Sequence, residues 1–448
     1  MRNFAMTGRL SGYVLLSVAV CAVYFNSLWT DFQFDDYKII VDNPRVHSWQ
    51  SWREGLGLGI RPILKLSYTL NWTSEMGVAG FHFTNMAVHL GNAFLVLMLT
   101  RHFVRSHPLL PEGVPFFTAL LFALHPIHTE AVTYICGRSI ALMTLFYLAG
   151  LLAYASGRMH HNRTLLFAVT PLCFIAALSV KETAVTFPLA LLAWQLASGD
   201  NLKAAFRYQW PSWAVLGLGV LFFLWSDSYF SQMERSAELN SLRGNVATQA
   251  VAFAYLLRQW IFPLWLNIDP DLKVVHGFTG QMPQLVFLAA VFVLMLATFR
   301  RRPWIGFALA WAFIQLVPLY VFLPRLDVAN DRQMYLVSWP LALAFTAEMA
   351  IWMKPKTFAL AGAALALVSG SLTVMRNHVY QNEISLWEDT VIQSPNKARV
   401  HNNLGYAYKL AGRKDEARKE FMIALKMDPD YYKARNNLLG LDGPWLKF

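Results

Sequence analysis

The chain has 448 residues, 56% of them hydrophobic and only 15% charged, with a formal net charge of +11. Soluble domains carry about 25% charged residues, so this composition excludes an ordinary soluble globular protein. The positive balance does not point to nucleic acid either. The basic residues fall mainly in short loops between apolar runs, where they set orientation and face anionic lipid.

About 20 apolar residues cross a hydrocarbon core roughly 30 Å thick, and such windows recur along the chain. The first follows Arg2 and Arg9 and runs through LSGYVLLSVAVCAVYFNSLW to Trp29. It is longer than a signal-peptide core and lacks a small-x-small cleavage pattern, so an uncleaved span is expected over 9–29. An outer loop follows over 31–81. It sets Asp31, Asp35, Asp36, Asp42, Glu54 and Glu75 against five Lys or Arg residues, with Trp49, Trp52 and Trp72 suited to the membrane interface.

Further spans are expected at 82–100, 115–135, 138–156, 164–180, 183–198, 211–227, 284–300, 303–323, 334–352 and 357–375. Another apolar stretch, 246–266, is interrupted by Arg258 and Pro263. Counted as a span, it would carry Arg300, Arg301 and Arg302 to the outside, against the positive-inside rule. The region 229–283 is therefore read as an outer-face segment with a surface-lying or membrane-dipping helix. About 11 spans follow, with Arg101, Arg105, Arg158, Arg163, Lys203, Arg207, Lys354 and Lys356 inside and the C-terminus outside. The fold class is all-α, a polytopic helical bundle. Cys21, Cys136 and Cys173 have neither disulfide nor zinc spacing.

From about Tyr380 the composition turns polar. Ala398 to Pro429 fits the tetratricopeptide (TPR) pattern, with Leu404, Gly405, Tyr408, Ala417, Phe421, Ala424 and Pro429 in place and His401 where Trp is common. Trp387 and Phe421 lie one repeat of about 34 residues apart, as do Pro395 and Pro429. The organisation is thus a transmembrane domain over 1–379 and an outside-facing TPR-like unit over 380–448. Its face with Asn402, Asn403 and Tyr406 reads either as an acceptor-binding surface for an extended peptide or as a packing cap.

Polar clusters gather at the outer ends of the spans. The first loop supplies Arg61, Lys65 and Tyr68. The turn after the third span holds His125, His128, Glu130 and Arg138. The next outer turn holds Lys181 and Glu182, and the turn before 334–352 holds Arg325, Asp327, Asp331, Arg332 and Tyr335. Ionisable groups at membrane depth are costly and point to function. Converging cations suit a phosphate, and a nearby carboxylate suits deprotonation of a hydroxyl. Together they describe transfer of a sugar from a lipid phosphate, provided the loops meet in space. In that reading Arg61, His125, His128, Arg138, Lys181 and Arg332 bind the donor phosphate. Glu130, Glu182, Asp331 and Tyr335 support the site. The competing readings are charge pairing for Lys181 and Glu182, helix-end hydrogen bonding for His125 and His128, and a solvated loop for Asp35 and Asp36.

The stretches FDDYKIIVDNPRV, RPILKLSYTLNW, FHFTNMAVHLGNA, ALHPIHTEAVTYICGRS, LSVKETAVTFP and NDRQMYL, followed by TPR units, resemble the transmembrane and TPR repeat-containing (TMTC) proteins and their bacterial relatives. The resemblance covers nearly the whole chain in order. It implies a GT-C glycosyltransferase fold, a polyprenyl- or dolichyl-phosphate-linked sugar donor, and protein O-glycosylation with inversion. Such enzymes carry an essential acidic residue in the first outer loop, which maps onto Asp35 and Asp36. Their basic residues near the lipid phosphate map onto Arg138, Lys181 and Arg332. Two departures stand out: the tail is short, and Asp331 stands where relatives often have Glu. No cofactor is expected to be required; a divalent metal (Mg or Mn), if bound, falls to Asp35 and Asp36 as oxygen ligands. The expected partners are the polyprenyl-phosphate-linked donor, an acceptor protein and membrane lipid, with no nucleic acid. The expected location is a bacterial inner membrane, site and C-terminus on the periplasmic side. A transferase acting on lipid or polysaccharide, a transporter, and a non-catalytic TPR scaffold are the alternatives.

Overall fold

The computed structural model describes residues 2–57, 61–199, 202–225, 241–278, 280–317, 321 and 327–441. Arg325 and positions 229–240 of the expected outer region lie outside the described residues. Regular structure among the described residues is helical throughout. The elements are α1 (Arg2–Tyr24), the short loop helices α2 (Trp49–Glu54) and α3 (Pro62–Thr73), α4 (Gly77–Arg105), α5 (Val114–Leu124), α6 (Thr129–Val132) and α7 (Arg138–Met159). Then come α8 (Thr170–Leu178), α9 (Phe187–Ala197), α10 (Leu202–Trp225), α11 (Leu242–Ile261), α12 (Met282–Thr298), α13 (Pro303–Leu316), α14 (Met334–Trp352) and α15 (Pro355–Val379). The tail is α16 (Glu383–Gln393), α17 (Ala398–Leu410), α18 (Lys414–Met427) and α19 (Tyr432–Leu439).

This is an all-α membrane helical bundle. Among the described residues five segments are long and apolar enough to cross a bilayer: Leu10–Trp29, Gly77–Arg105, Ile135–Met159, Asp331–Trp352 and Pro355–Val379. Val114–Leu124, Leu165–Leu178, Met282–Thr298 and Pro303–Leu316 are shorter apolar helices. The expected span 115–135 is cut short for a local reason. Pro126 disfavours α geometry in the residue before it and has no N–H to donate, and His125 accordingly turns extended (φ −72°, ψ 126°). The chain continues through a 3-10 turn (Pro126–His128), α6 and a second 3-10 turn (Ile135–Gly137). The second turn is packed so closely that a Cβ on Gly137 would stand 2.1 Å from the Glu130 carbonyl oxygen. The expected span 183–198 similarly starts with a 3-10 turn, Glu182–Thr186, before Pro188 opens α9.

The core is aromatic. Trp311 and Trp339 meet edge to face at 5.3 Å, with Phe307 against both and Trp194 against Trp339. The outer-face helix expected over 246–266 is α11, whose Phe253, Leu256 and Leu257 share an apolar cluster with Ala308, Ala312 and Val337 of α13 and α14.

The tail helices pair antiparallel around Trp387, Leu404, Ala407 and Phe421. Gly405 is needed there, since a Cβ would sit 2.7 Å from the Phe421 ring. The tail is fastened to the end of the bundle that carries the first loop. Asp269 receives Lys397 at 2.6 Å and Arg399 at 2.5 Å, Arg399 also reaches Asp327 at 2.5 Å, and the Asn267 amide donates to Ser394 Oγ at 2.7 Å.

Candidate active site

Phe34 has a left-handed backbone (φ 49°). Its N–H donates to Glu383 Oε1 at 2.6 Å and its ring meets Trp387 at 5.2 Å. The corner it makes sends the next two side chains different ways. Asp36 is buried (1% exposed). Its Oδ1 accepts the Cys136 N–H at 2.8 Å and its Oδ2 the Gln33 N–H at 3.1 Å. Burial pushes its carboxyl up to about 7 against the pull of those hydrogen bonds. Asp36 therefore ties the first loop to the turn ahead of α7. Asp35 is only half-buried, and its own N–H donates to the Tyr134 hydroxyl at 3.2 Å. Its carboxyl is raised by burial, eased by the Arg332 charge, raised by Asp327, and eased by Lys38 and Arg399.

The six candidate phosphate ligands fall into two groups. Arg138 is fully buried, and its guanidinium donates to Asn85 Oδ1 (2.6 Å), the Phe81 carbonyl (2.8 Å) and the Ser67 carbonyl (3.0 Å), over the Tyr68 and Phe81 rings. It staples α3 to α4 and α7. Arg61 is engaged by Glu182 across three hydrogen bonds of 2.8 to 3.1 Å. His125 stacks on Trp260 and pairs with its carbonyl at 2.9 Å, while its Nδ1 accepts the Ile127 N–H. His128 is wholly buried among Phe122, Tyr335 and His89.

Lys181 and Arg332 form the second group and share one surface. They line a small cleft with Thr183, Gln315, Asn330 and Gln333, floored by Ile140, Met143 and Leu336. Arg332 is aimed by Glu130, a buried carboxylate whose Oε2 accepts the Arg332 N–H at 2.9 Å and whose Oε1 lies 3.4 Å from Nε. Asp331 turns inward, accepting the Asn267 N–H at 2.9 Å. The Tyr335 hydroxyl pairs with His89 at 2.6 Å and accepts from Asn92 at 3.1 Å, away from the cleft. In the tail, Asn402 is buried and accepts from Asn437 at 3.0 Å while donating to Asn403 at 3.1 Å. Tyr406 is exposed (43%).

The first-loop acids do not fit a divalent metal. Both Asp36 oxygens are committed to backbone N–H groups, and the Asp35 carboxyl stands in the field of Arg332 and Lys38. Among the described residues no group of three or more His, Cys, Asp and Glu could hold a metal ion. The cleft residues that the sequence reading passed over are Thr183, Gln315, Asn330 and Gln333. A lone amide such as Gln315 inside an apolar run was the available signal.

No family model matches the chain, and no solved structure matches it. Among curated proteins it is similar to protein O-mannosyl-transferase F38B6.6 of Caenorhabditis elegans, 25% identical over 93% of this chain and 63% of the relative. It is likewise similar to protein O-mannosyl-transferase TMTC1 of Homo sapiens, 25% identical over 95% of this chain and 56% of the relative. The figures for protein O-mannosyl-transferase TMTC3 of Homo sapiens are 25%, 96% and 53%. The chain thus spans 53 to 63% of the length of these relatives.

Proposed function

We propose that this TMTC-like chain is a multi-pass membrane glycosyltransferase that moves a sugar from a polyprenyl-phosphate-linked donor to a protein hydroxyl on the outer face of the membrane. The sugar we assign is mannose, after the names of its relatives. The observation that carries the reading is the cleft. It presents two cations from separate turns, Lys181 and Arg332, over an apolar floor, with Asp35 in the field of Arg332.

The chemistry follows from that arrangement. A lipid phosphate seats between the Lys181 ammonium and the Arg332 guanidinium, with its first isoprene units on Ile140, Met143 and Leu336. The acceptor hydroxyl enters from the Asp35 side. Its oxygen attacks the anomeric carbon opposite the phosphate, the bond from that carbon to the phosphate oxygen breaks, and the configuration inverts. Asp35 takes the hydroxyl proton. The negative charge gathering on the departing polyprenyl phosphate is stabilised by Lys181 and Arg332, which are already in place. Asp36 does not react; it holds the loop that carries Asp35. The setting we assign is a bacterial inner membrane, with the cleft and tail on the periplasmic side.

The test is transfer of radiolabelled mannose from polyprenyl-phosphate mannose to protein by membranes containing wild type, Asp35→Asn or Asp36→Asn. Wild type is expected to label protein, and Asp35→Asn to fold normally yet lose at least about 100-fold in turnover. Asp36→Asn exchanges one of two buried acceptors for an amide donor. It is expected to destabilise by about 1–3 kcal/mol while its folded fraction keeps measurable turnover. Label confined to lipid or polysaccharide, or full activity in Asp35→Asn, overturns the reading.

A further inference from the structure

We infer that Asn330 selects the donor by its sugar, its side-chain amide pairing with hydroxyls of the transferred hexose beside the cations that hold the phosphate. The inference rests on the cleft being the donor site. Asn330 lines that cleft and is only 5% exposed. It stands at the cap position of the 3-10 turn Asp331–Gln333 that leads into α14, with an extended backbone (φ −147°, ψ 151°). An Asn placed there ordinarily turns its oxygen onto the N–H of the second or third residue beyond. Both of those N–H groups are already taken. Glu130 Oε2 accepts from Arg332 at 2.9 Å, and the Asn330 main-chain carbonyl accepts from Gln333 at 3.1 Å. The Asn330 side chain makes no cap hydrogen bond, and its amide has no partner among the described residues.

Leaving a buried amide unpaired is costly, and such a group in a cleft points to a ligand that pairs it. A second turn gives the same sign. Thr183 lines the cleft as well, and its buried hydroxyl is without a partner among the described residues. The other polar lining groups are accounted for. Gln315 donates to the Tyr147 hydroxyl at 2.8 Å and accepts from the Thr186 hydroxyl at 2.9 Å, while Gln333 is partly exposed and within reach of water. Chemistry then separates sugar from phosphate. A phosphate only accepts hydrogen bonds, so it would leave the Asn330 oxygen bare. A hydroxyl both donates and accepts, so two neighbouring hydroxyls of a hexose satisfy both ends of the amide. Asn330 and Arg332 share one turn, which thus holds sugar and phosphate in fixed relation.

The experiment compares wild type with Asn330→Leu, which keeps the size and removes the amide. The probes are polyprenyl-phosphate mannose, the same donor lacking one mannose hydroxyl at a time, and polyprenyl phosphate without sugar as an inhibitor. Asn330→Leu is expected to lose about tenfold in donor kcat/KM, while its inhibition constant for polyprenyl phosphate stays within about twofold of wild type. Since no hydrogen bond within the protein is lost, its unfolding temperature in detergent should not fall. Wild type should lose about tenfold on at least one deoxy donor, and Asn330→Leu less than about threefold on that same donor. An inhibition constant that rises in step with the loss in kcat/KM would make Asn330 a phosphate ligand and overturn the inference. A wild type indifferent to every missing hydroxyl, or a variant that keeps the wild-type preference, overturns it too. Should Asn330→Leu fail to fold, Asn330→Ala carries the same comparison. A wild type that transfers nothing from polyprenyl-phosphate mannose overturns the underlying reading of the cleft instead, so the two failures are told apart.

Discussion

The Asp35 carboxyl is raised by burial and by Asp327 and eased by Arg332, Lys38 and Arg399, and the net direction is upward. A general base must be ionised to work, so activity falls as pH drops through its titration. The acid limb of kcat/KM is therefore expected above the ordinary aspartate value of about 3.9. Asp327→Asn tests the assignment without touching the cleft. It removes a charge that raises Asp35 and releases Arg399 from one partner, and both effects push the limb toward lower pH. We expect a shift of less than about one unit, and an unmoved limb would place the base elsewhere. The adjacent pair was legible in the sequence as a pair only. Which member is buried and which stays half-exposed depends on the left-handed corner at Phe34, and that corner depends on Glu383 and Trp387, some 350 positions away. Arg138 was opaque for the same reason. Its charge and its place at an outer turn read like those of Lys181, and only the acceptors that surround it, Asn85, Ser67 and Phe81, reveal it as a staple.

At the level of elements, the tail was the most legible part of the chain. The spacing of Trp387 and Phe421 and the small residues Gly405 and Ala417 follow from helices stacking at close range. Its attachment was not legible, because no periodicity marks Asp269 as the partner of Lys397 and Arg399. Asp269→Ala leaves Lys397 without this partner and Arg399 with Asp327. Since both cations are partly exposed, we expect a cost of about 1–2 kcal/mol, below that of breaking a fully buried pair. Limited proteolysis should then cut faster between α15 and α17, while the helical content stays the same. Unchanged cleavage would show that Phe34–Trp387 packing and the Asn267–Ser394 hydrogen bond suffice to hold the tail.

For the whole molecule, charge asymmetry among the loops predicts one orientation. Engineered cysteines at exposed positions check it, with the three native cysteines replaced. Gln50→Cys in the first loop and Lys426→Cys in the tail should react with an impermeant maleimide added to the outer side of intact spheroplasts. His161→Cys, between α7 and α8, should react only after permeabilisation. Labelling of all three from one side would overturn the topology. The bundle itself was readable because each apolar window demands a helix that satisfies its own backbone in lipid. The lengths were not, because the window over 115–135 hides the break at Pro126.

That break has a consequence for when modification takes place. An 11-residue α5 is about 16 Å long, roughly half the hydrocarbon thickness, and the irregular chain beyond it stays buried from His125 to Gly137. Backbone of this kind is tolerated at such depth only inside protein, so on the proposed reading the groups packed beside it, Glu130 and the Arg332 it aims, are recessed rather than displayed on a flat surface. A hydroxyl on the rigid face of a compact domain cannot reach the bottom of such a recess. Only a strand of polypeptide free to stretch out can thread it. Under the proposed transfer, the acceptors suited to such a site are extended segments: chains that have yet to fold, or the linkers and ends of those that have.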